Sequence, residues 1–157
     1  MRSAERIRYL ILAAQREGNR RLAAALSAID LTPAQSEALR IIEDHGPLSL
    51  KQLGDMLVCD SGTNPSRIAD RLVTNGLVKR SAGRDDRRQI RLTITPEGEV
   101  RAALVRGIEE QVYDAIDQTV GGDDARLLVR LLESLTEAAP ARAALDARLA
   151  ADEGHGM

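Results

Sequence analysis

The hydrophobic period changes at Gly76, and this change constrains the fold more than any other feature of the sequence. Before Gly76, four segments place apolar residues at helical spacing. After it, "LVKRSA" and "QIRLTIT" alternate apolar and polar residues, which is typical of two strands joined by a turn over 83–88. Helical spacing returns at Thr95-Pro96. The pattern predicts a mainly α fold with a small β-hairpin wing (α+β).

Capping signals mark where the helices before the wing begin. Thr32 with Gln35, and Ser49 with Gln52, have the spacing of capping boxes, and Gly46-Pro47 separates the two helices. A longer helix over about 4–28 precedes them, and two more follow the wing. The predicted order is four helices, a hairpin and two helices. Three short helices followed by a two-stranded wing make a winged helix-turn-helix, to which the first and last helices are additions.

The fourth predicted helix has an apolar back and a basic front. It begins at Ser61 or Asn64 and ends at Gly76, with Ile68 and Leu72 on its back. Arginine can bond guanine bidentately, asparagine can bond adenine, and hydroxyls suit phosphates or bases, so this front is equipped to read a major groove. The candidate major-groove residues are Ser61, Thr63, Asn64, Ser66, Arg67 and Arg71.

Positive charge is concentrated around this helix and the wing. The window 61–91 contains eight Lys and Arg residues and three Asp, a net charge of +5 in a chain whose net charge is −2. Such a concentration is typical of a nucleic-acid-binding surface. Arg87 and Arg88, oriented by Asp86, are the candidates for a minor groove beside the recognition helix. The candidate phosphate contacts are Lys79, Arg80, Arg84 and Arg91.

The terminal helices carry more apolar residues than a lone winged domain needs. The helix after Pro96 has predicted inward positions at four-residue steps, namely Val100, Leu104, Ile108, Val112, Ile116 and Val120. Apolar stripes must be covered by the same chain or by a second copy, and a two-fold axis would present two recognition helices to a symmetric DNA site. The predicted dimerisation residues are Ile7, Leu10, Ile11, Leu128, Leu131, Leu132 and Leu135.

The recognition helix and wing resemble those of the MarR family of transcriptional regulators. The resemblance rests on "SGTNPSRIADRLVTNGLVKR" followed by "DDRRQIRLTITPEG", with Asp86, Arg88, Ile94-Thr95 and Gly98 at the positions of the family's wing pattern. It implies a homodimer whose first helix and last two helices interlock. It also implies binding to a pseudo-palindromic DNA operator, usually as a repressor, and a recognition helix over about 61–75.

The predicted domain organisation follows this arrangement. Residues 1–30 and 99–140 form a helical dimerisation region, and residues 31–98 form the winged helix-turn-helix DNA-binding domain. Residues 141–157 are expected to form an alanine-rich, partly disordered tail. A competing interpretation is a winged-helix protein-interaction module whose basic face binds an acidic partner without operator specificity.

An effector is harder to predict than the DNA-binding surface. The family often binds small aromatic compounds between the dimer helices and the winged DNA-binding domain (residues 31–98, here called the DNA-binding lobe or the lobe). Arg8, Tyr9 and Tyr113 are the candidate polar contacts in such a cleft. No ligand can be named, because the chain has no Phe or Trp to stack on one. Cys59 is a weaker candidate for an oxidant-sensing residue, since nothing in the sequence lowers the pKa of its thiol.

Other functional classes have little support in the sequence. His45 and His155 lack metal-ligand spacing to other donors, no catalytic motif is present, and no metal or other cofactor is expected. Cys59 is the single cysteine, and the chain has neither a signal peptide's apolar core nor a membrane-length apolar run. The expected location is the cytoplasm.

Overall fold

The computed structural model describes residues 1–59, 64–82 and 90–154, the last three of them by their backbone alone. The described elements are α1 (Ser3–Leu26) with a 3-10 turn (Ser27–Ile29), α2 (Pro33–His45), β1 (Leu48–Ser49), α3 (Leu50–Met56), α4 (Pro65–Thr74), β2 (Val78–Ala82), β3 (Ile90–Ile94), α5 (Pro96–Thr119), α6 (Gly122–Thr136) and α7 (Pro140–Gly154). The order confirms the predicted winged helix-turn-helix with additional helices at both ends.

Both predicted capping boxes are confirmed. At the start of α2, Thr32 accepts a hydrogen bond from the Gln35 backbone N–H, and the Gln35 side chain accepts one from the Thr32 backbone N–H. Ser49 and Gln52 make the same reciprocal pair at the start of α3. Each box satisfies backbone donors that have no partner within the helix, and so determines where the helix begins.

The wing is part of a three-stranded antiparallel sheet with the order β1-β3-β2. β2 and β3 form the predicted hairpin, with Val78 opposite Ile94. β1 was not predicted: Leu48 lies opposite Leu92 on the other side of β3. A strand of two residues is too short to show an alternating pattern, and its partner lies more than 40 residues away in sequence.

Aliphatic residues alone build the core of the DNA-binding lobe. Leu39 and Ile42 of α2 and Leu53 of α3 are fully buried, as are Leu72 of α4 and Val105 of α5. Among the described residues, the buried cluster also contains Leu26, Leu31, Ala38, Ile41, Leu48, Leu57, Ile68, Ala69, Leu77, Val78, Leu92 and Ala102. The chain has no Phe or Trp, so its stability depends on the packing of many small contacts.

Two glycines allow the wing to approach α4 and α5 closely. Gly76 ends α4 with a φ of +72°, the left-handed conformation that favours glycine. At Gly98, a Cβ atom would overlap the Leu77 carbonyl oxygen and would lie 2.7 Å from Cγ1 of Ile94. Thr95 completes the junction, since its hydroxyl donates to the Gly76 carbonyl (2.6 Å) and accepts from the Gly98 N–H (3.0 Å).

Ion pairs join the DNA-binding lobe to α5. The Glu43 carboxylate in α2 accepts hydrogen bonds from Arg40 in its own helix and from Arg106 in α5. A second pair has the cation on α2 and the anion on α5: Nε of Arg40 lies 3.5 Å from Oε2 of Glu109. Arg40, Glu43 and Glu109 are each at least four-fifths buried, so water screens these pairs less than it screens surface pairs.

The prediction that the apolar stripe of α5 faces inward was wrong for the single chain. Val100, Leu104 and Ile116 are exposed, and the buried residues of α5 are Gly98, Ala102 and Val105. A strict four-residue step drifts around a helix of 3.6 residues per turn, so it does not follow one face over six turns. The lobe instead packs against the small residues at the start of α5, and much of the predicted stripe remains uncovered.

The alanine-rich tail forms a helix as far as Gly154, and residues 155–157 lie outside the described part of the chain, so its predicted partial disorder stays a prediction. α7 packs against α3 and α2 of the same chain, and Ala144 is buried. Alanine is the strongest helix former, and its small side chain lets α7 approach the lobe closely. The alanine-rich composition therefore did not reveal that this segment packs as a helix against the rest of the chain.

Candidate DNA-binding surface

The recognition helix α4 presents a basic front because its back is buried in the lobe. Ile68, Ala69 and Leu72 face the core, whereas Arg67 and Arg71 are exposed. Two arginines one turn apart on an exposed face can reach neighbouring base edges in a major groove. The predicted polarity of this helix is therefore present in the structure.

Asn64 is the N-cap of α4, which settles the alternative between Ser61 and Asn64. Its side-chain carbonyl oxygen accepts a hydrogen bond from the Ser66 N–H at 2.9 Å. The cap uses one lone pair of this oxygen and does not involve the NH₂ group of the exposed Asn64 side chain. Ser66 is half-buried beside it. The predicted contacts Ser61 and Thr63 lie outside the described residues.

Two of the predicted phosphate contacts have partners within the protein. Nη2 of Arg80 lies 2.7 Å from Oδ1 of Asp70 in α4. Nη1 of Arg91 donates to Oε1 of Gln52 at 3.0 Å, which ties β3 to the capping box of α3. Lys79 is exposed on β2. These partners hold the guanidinium groups in fixed directions next to α4 and α3.

The predicted contacts at the tip of the wing lie outside the described residues. They are Arg84, proposed to contact phosphate, Arg87 and Arg88, proposed for the minor groove, and Asp86, proposed to orient them. Their roles stay predictions that rest on the sequence pattern.

A groove of about 360 Å³ brings residues from α3, α4 and the sheet together beside the recognition helix. Ser49, Lys51, Ser66 and Arg80 supply its polar lining. Sequence reasoning did not place Ser49 and Lys51 on this surface. The signal was available, because both lie at the start of the helix that precedes the recognition helix, where helix-turn-helix proteins cross the DNA backbone.

The turn before the recognition helix is held by a buried carboxylate that sequence reasoning also missed. Glu37 of α2 is only 7% exposed, and its two oxygens accept from the backbone N–H groups of Val58 (3.0 Å) and Cys59 (2.8 Å). Nη1 of Arg148 in α7 lies 3.6 Å from the same carboxylate. A glutamate on the buried face of an amphipathic helix was the available signal, since a buried charge requires partners.

Cys59 follows Val58 in this segment, and its backbone N–H donates to Glu37. Partial desolvation, followed by the nearby Glu37 carboxylate, raises the pKa of the Cys59 thiol to about 11. The thiolate is the species that reacts with oxidants, and little of it forms at neutral pH. The structure therefore gives no support to an oxidant switch at Cys59.

The predicted dimerisation residues of α1 and α6 are all exposed to solvent. Ile7, Leu10 and Ile11 of α1 are between 41% and 58% exposed. α6 has no buried residue, although Leu128, Leu131, Leu132 and Leu135 are on it. Ile7, Ile11 and Leu135 line one shallow groove, so α1 and α6 contribute to a single apolar surface. We call this surface the α1/α6 face.

The predicted effector contacts have different surroundings. The guanidinium carbon of Arg8 lies 5.1 Å from the centroid of the Tyr9 ring, and Arg8 borders the α1/α6 face. Tyr113 lies near Glu109, and partial desolvation followed by that carboxylate raises the pKa of the Tyr113 hydroxyl. A separate apolar groove of about 520 Å³ lies between α1 and α5, lined by Ala14, Ala25, Ile108, Val112, Ile116 and Val120 among others.

Neither a metal site nor a membrane span is found in the described part of the chain. Within residues 1–59, 64–82 and 90–154, no group of three His, Cys, Asp or Glu side chains is close enough to hold a metal ion. None of the helices in these ranges combines the length and the apolar character needed to cross a bilayer.

Comparisons with known proteins agree with this geometry. The sequence model of the MarR family matches residues 31–90. The chain is 30% identical over 141 residues to the HTH-type transcriptional regulator TtmR of Methylorubrum extorquens, covering 86% of this chain and 68% of TtmR. It is 26% identical to the organic hydroperoxide resistance transcriptional regulator of Bacillus subtilis, covering 87% of this chain and 91% of that protein.

A solved structure shows the same fold on DNA. The chain is similar to a cysteine-to-serine mutant of MarR from E. coli complexed with operator DNA, with a TM-score of 0.72 and 25% identity. The match covers 81% of this chain and 91% of the other. The fold, the basic recognition helix and the relatives lead to one conclusion. The chain belongs to the MarR family of winged-helix transcriptional regulators, and it is a DNA-binding regulator rather than an enzyme.

Proposed function

We propose that the chain acts as a homodimer that represses transcription by binding a pseudo-palindromic operator, with an affinity tuned by a small molecule. The observation that carries this proposal is the α1/α6 face, an exposed apolar surface in the same chain as a basic recognition helix. Monomeric proteins rarely leave large contiguous apolar patches in water, so the patch indicates an association surface.

A second copy of the chain is the partner that fits this face. α6 buries none of its own residues, yet Leu and Val make up much of it, so its apolar side needs a surface of similar character. A two-fold dimer lets α1 and α6 of each copy cover those of the other. The same axis would relate two copies of α4, which is the arrangement required by an inverted-repeat operator.

The proposed contacts divide into base readers and phosphate contacts. Arg67 and Arg71 would read bases in the major groove, with Asn64 and Ser66 beside them. Lys79 would contact the DNA backbone together with Lys51 and, where their internal partners allow, Arg80 and Arg91. At the tip of the wing, Arg84 would contact phosphate, and Arg87 and Arg88, oriented by Asp86, would enter the minor groove.

The proposed domain roles explain how an effector could change affinity. Residues 31–98 would hold DNA, and residues 1–30 and 99–140 would form the dimer. The ion pairs of Arg40 and Glu43 with Glu109 and Arg106 join the two regions, so a shift of α5 would move the lobe with it. An effector bound near Tyr113 or the α1–α5 groove would then change the separation of the two recognition helices.

Selection from a random DNA pool tests the operator, and mass in solution tests the dimer. We expect the purified chain to enrich a motif with two-fold symmetry and to have twice the monomer mass of 17.0 kDa. A promoter containing that motif should be transcribed less in vitro when the protein is present. Binding without a preferred sequence would instead favour the protein-interaction interpretation.

Substitutions separate the dimer surface from the DNA surface. Leu131→Glu places a charge on the α1/α6 face and should shift the mass towards the monomer. The matched control is Ile90→Glu on the wing, because Ile90 is 54% exposed and Leu131 is 53% exposed. The control should keep the dimer mass. A Leu131→Glu variant that remains a dimer would contradict the proposed interface.

A further inference from the structure

The connection between α3 and the recognition helix is anchored to α2 through Glu37. Leu57 is buried in the core, and the next two backbone N–H groups, those of Val58 and Cys59, both donate to the Glu37 carboxylate. Backbone groups in a turn have no helical partner, so this carboxylate substitutes for one. The position of Glu37 therefore fixes the first residues after α3, Val58 and Cys59, on the side of the chain that continues towards α4.

α7 supplies the only cation found within 4 Å of this carboxylate in the described part of the chain. Nη1 of Arg148 lies 3.6 Å from Oε1 of Glu37, the oxygen that accepts from the Val58 N–H. α7 reaches this point because it packs against α3 and α2, with Ala144 buried. The Arg148 side chain is 28% exposed, and the Glu37 side chain is 9% exposed.

We propose that α7 is a positioning helix for DNA binding, in which Arg148 fixes the Glu37 carboxylate and Glu37 fixes the turn that leads into the recognition helix. This inference rests on the proposed role of α4 in reading DNA. It assigns a function to the C-terminal segment, which lies outside both the lobe and the α1/α6 face. Neither Arg148 nor Glu37 needs to touch DNA for this role.

The proposal follows from how a buried carboxylate responds to the loss of a partner. Glu37 is removed from water and balanced by two N–H dipoles and one guanidinium. Without Arg148, the carboxylate is better solvated if it turns outward, and it then releases the Val58 and Cys59 N–H groups. The turn would sample other paths, and α4 would dock on DNA less often in the right orientation.

Arg148→Ala is the central variant, and Arg142→Ala is its matched control. Both residues are arginines of α7 with side chains about one quarter exposed, but Arg142 pairs with Asp146 and Glu133 rather than with the turn. On the duplex enriched from the random pool, we expect Arg148→Ala to weaken binding roughly 2- to 5-fold. Arg142→Ala should bind like the wild type, and Arg148→Lys should recover part of the loss.

The salt dependence of binding distinguishes positioning from direct contact. A residue that contacts phosphate contributes about 0.9 to the slope of log affinity against log salt concentration. Arg148→Ala should keep the wild-type slope, because it acts through Glu37. A slope reduced by about that amount would show that Arg148 contacts DNA and would overturn the proposal. Equal losses in Arg148→Ala and Arg142→Ala would overturn it as well.

Amide hydrogen exchange of the protein in the absence of DNA tests the link from Arg148 through Glu37 to the Val58 and Cys59 N–H groups. The Val58 and Cys59 amides should exchange faster in Arg148→Ala and in Glu37→Gln, while amides in the core of α2 keep their protection. Glu37→Gln should weaken DNA binding at least about fivefold, because one Gln oxygen cannot serve both N–H groups at full strength. In the double variant, the loss should be less than the product of the single losses.

The outcomes separate this inference from the proposed function. If the wild type selects no DNA sequence, both are refuted. If the wild type selects a motif and Arg148→Ala binds it with equal affinity, or the Val58 and Cys59 amides exchange at wild-type rates, only the positioning role of α7 is refuted. Thermal unfolding of each variant at one protein concentration checks that the affinities come from folded protein.

Discussion

Asp70 of the recognition helix and Arg80 of the wing form an ion pair, with Oδ1 and Nη2 2.7 Å apart. The pair joins the two elements that the proposed function places against DNA. Asp70 brings a negative charge to that surface and engages a guanidinium that is a predicted phosphate contact. We therefore expect the pair to orient Arg80 and to reduce the attraction to DNA.

Asp70→Asn should increase affinity for DNA of any sequence. The change removes one negative charge and releases Arg80 to contact phosphate, so the dependence on salt should become steeper. The measurement is the affinity for a random-sequence duplex at several salt concentrations. The matched control is Asp146→Asn in α7, where an aspartate of similar exposure pairs with Arg142 away from the proposed DNA surface. A lower affinity in Asp70→Asn would mean that the orientation of Arg80 matters more than its availability.

Arg67→Ala and Lys79→Ala should affect binding in different ways. Arg67 lies on the exposed front of α4, so its loss should cost about 1–3 kcal/mol on the preferred motif and relax the preference at one base position. Lys79→Ala should weaken binding to all sequences by a similar factor. Competition between the preferred duplex and a duplex with one altered base measures both effects. An unchanged sequence preference in Arg67→Ala would remove it from the base readers.

The Cys59 thiol should react slowly at neutral pH, and its reactivity should increase above pH 10. A pKa of about 11 means that the thiolate becomes abundant only near pH 11, whereas a cysteine with the ordinary pKa of about 8.5 forms it at much lower pH. The pH profile of alkylation by iodoacetamide measures this directly, since the chain has one cysteine. Glu37→Gln removes the nearby negative charge and should shift the profile to lower pH. Rapid alkylation of the wild type at pH 7 would restore the oxidant-sensing hypothesis.

Gly98→Ala should destabilise the fold, and Gly107→Ala in the same helix should not. A Cβ at position 98 would overlap the Leu77 carbonyl, so we expect a loss of about 1–3 kcal/mol in the free energy of unfolding. A Cβ at position 107 meets nothing within 4 Å, and this change should stabilise α5 by about 0.5–1 kcal/mol. Urea unfolding at one protein concentration measures both. Equal stabilities would show that the close approach at Gly98 is easily relieved.

The parts of the fold that local chemistry determines were predictable from the sequence. These parts depend on residues close together in sequence. They are the two capping boxes, the Thr95 cap followed by Pro96, and the end of α4 at Gly76, and each is present in the structure. β1 depends on a pairing across more than 40 residues, so no local pattern indicates it. α7 was underestimated, because its stability depends on packing against α3 as well as on its alanine content.

The candidate site was predictable in its charges but not in its pairings. The sequence shows that Arg80 and Arg91 are basic and near the recognition helix, but not that Asp70 and Gln52 engage them. Glu37 was overlooked for the same reason, since its partners are backbone groups 21 and 22 residues away. The apolar residues of α6 could be recognised from the sequence, and they are exposed in the structure, whereas their role in association stays a prediction.

Two ion pairs of opposite charge orientation join α2 and α5, and they affect how the molecule can change shape. Arg40 and Glu43 on one helix bind Glu109 and Arg106 on the other, so we expect a large tilt of either helix to separate at least one pair. Separated charges in a poorly hydrated place are costly, and intermediate tilts would leave them unpaired. The lobe is therefore expected to move between a few discrete orientations rather than through a continuous range, which would make the response to a signal abrupt.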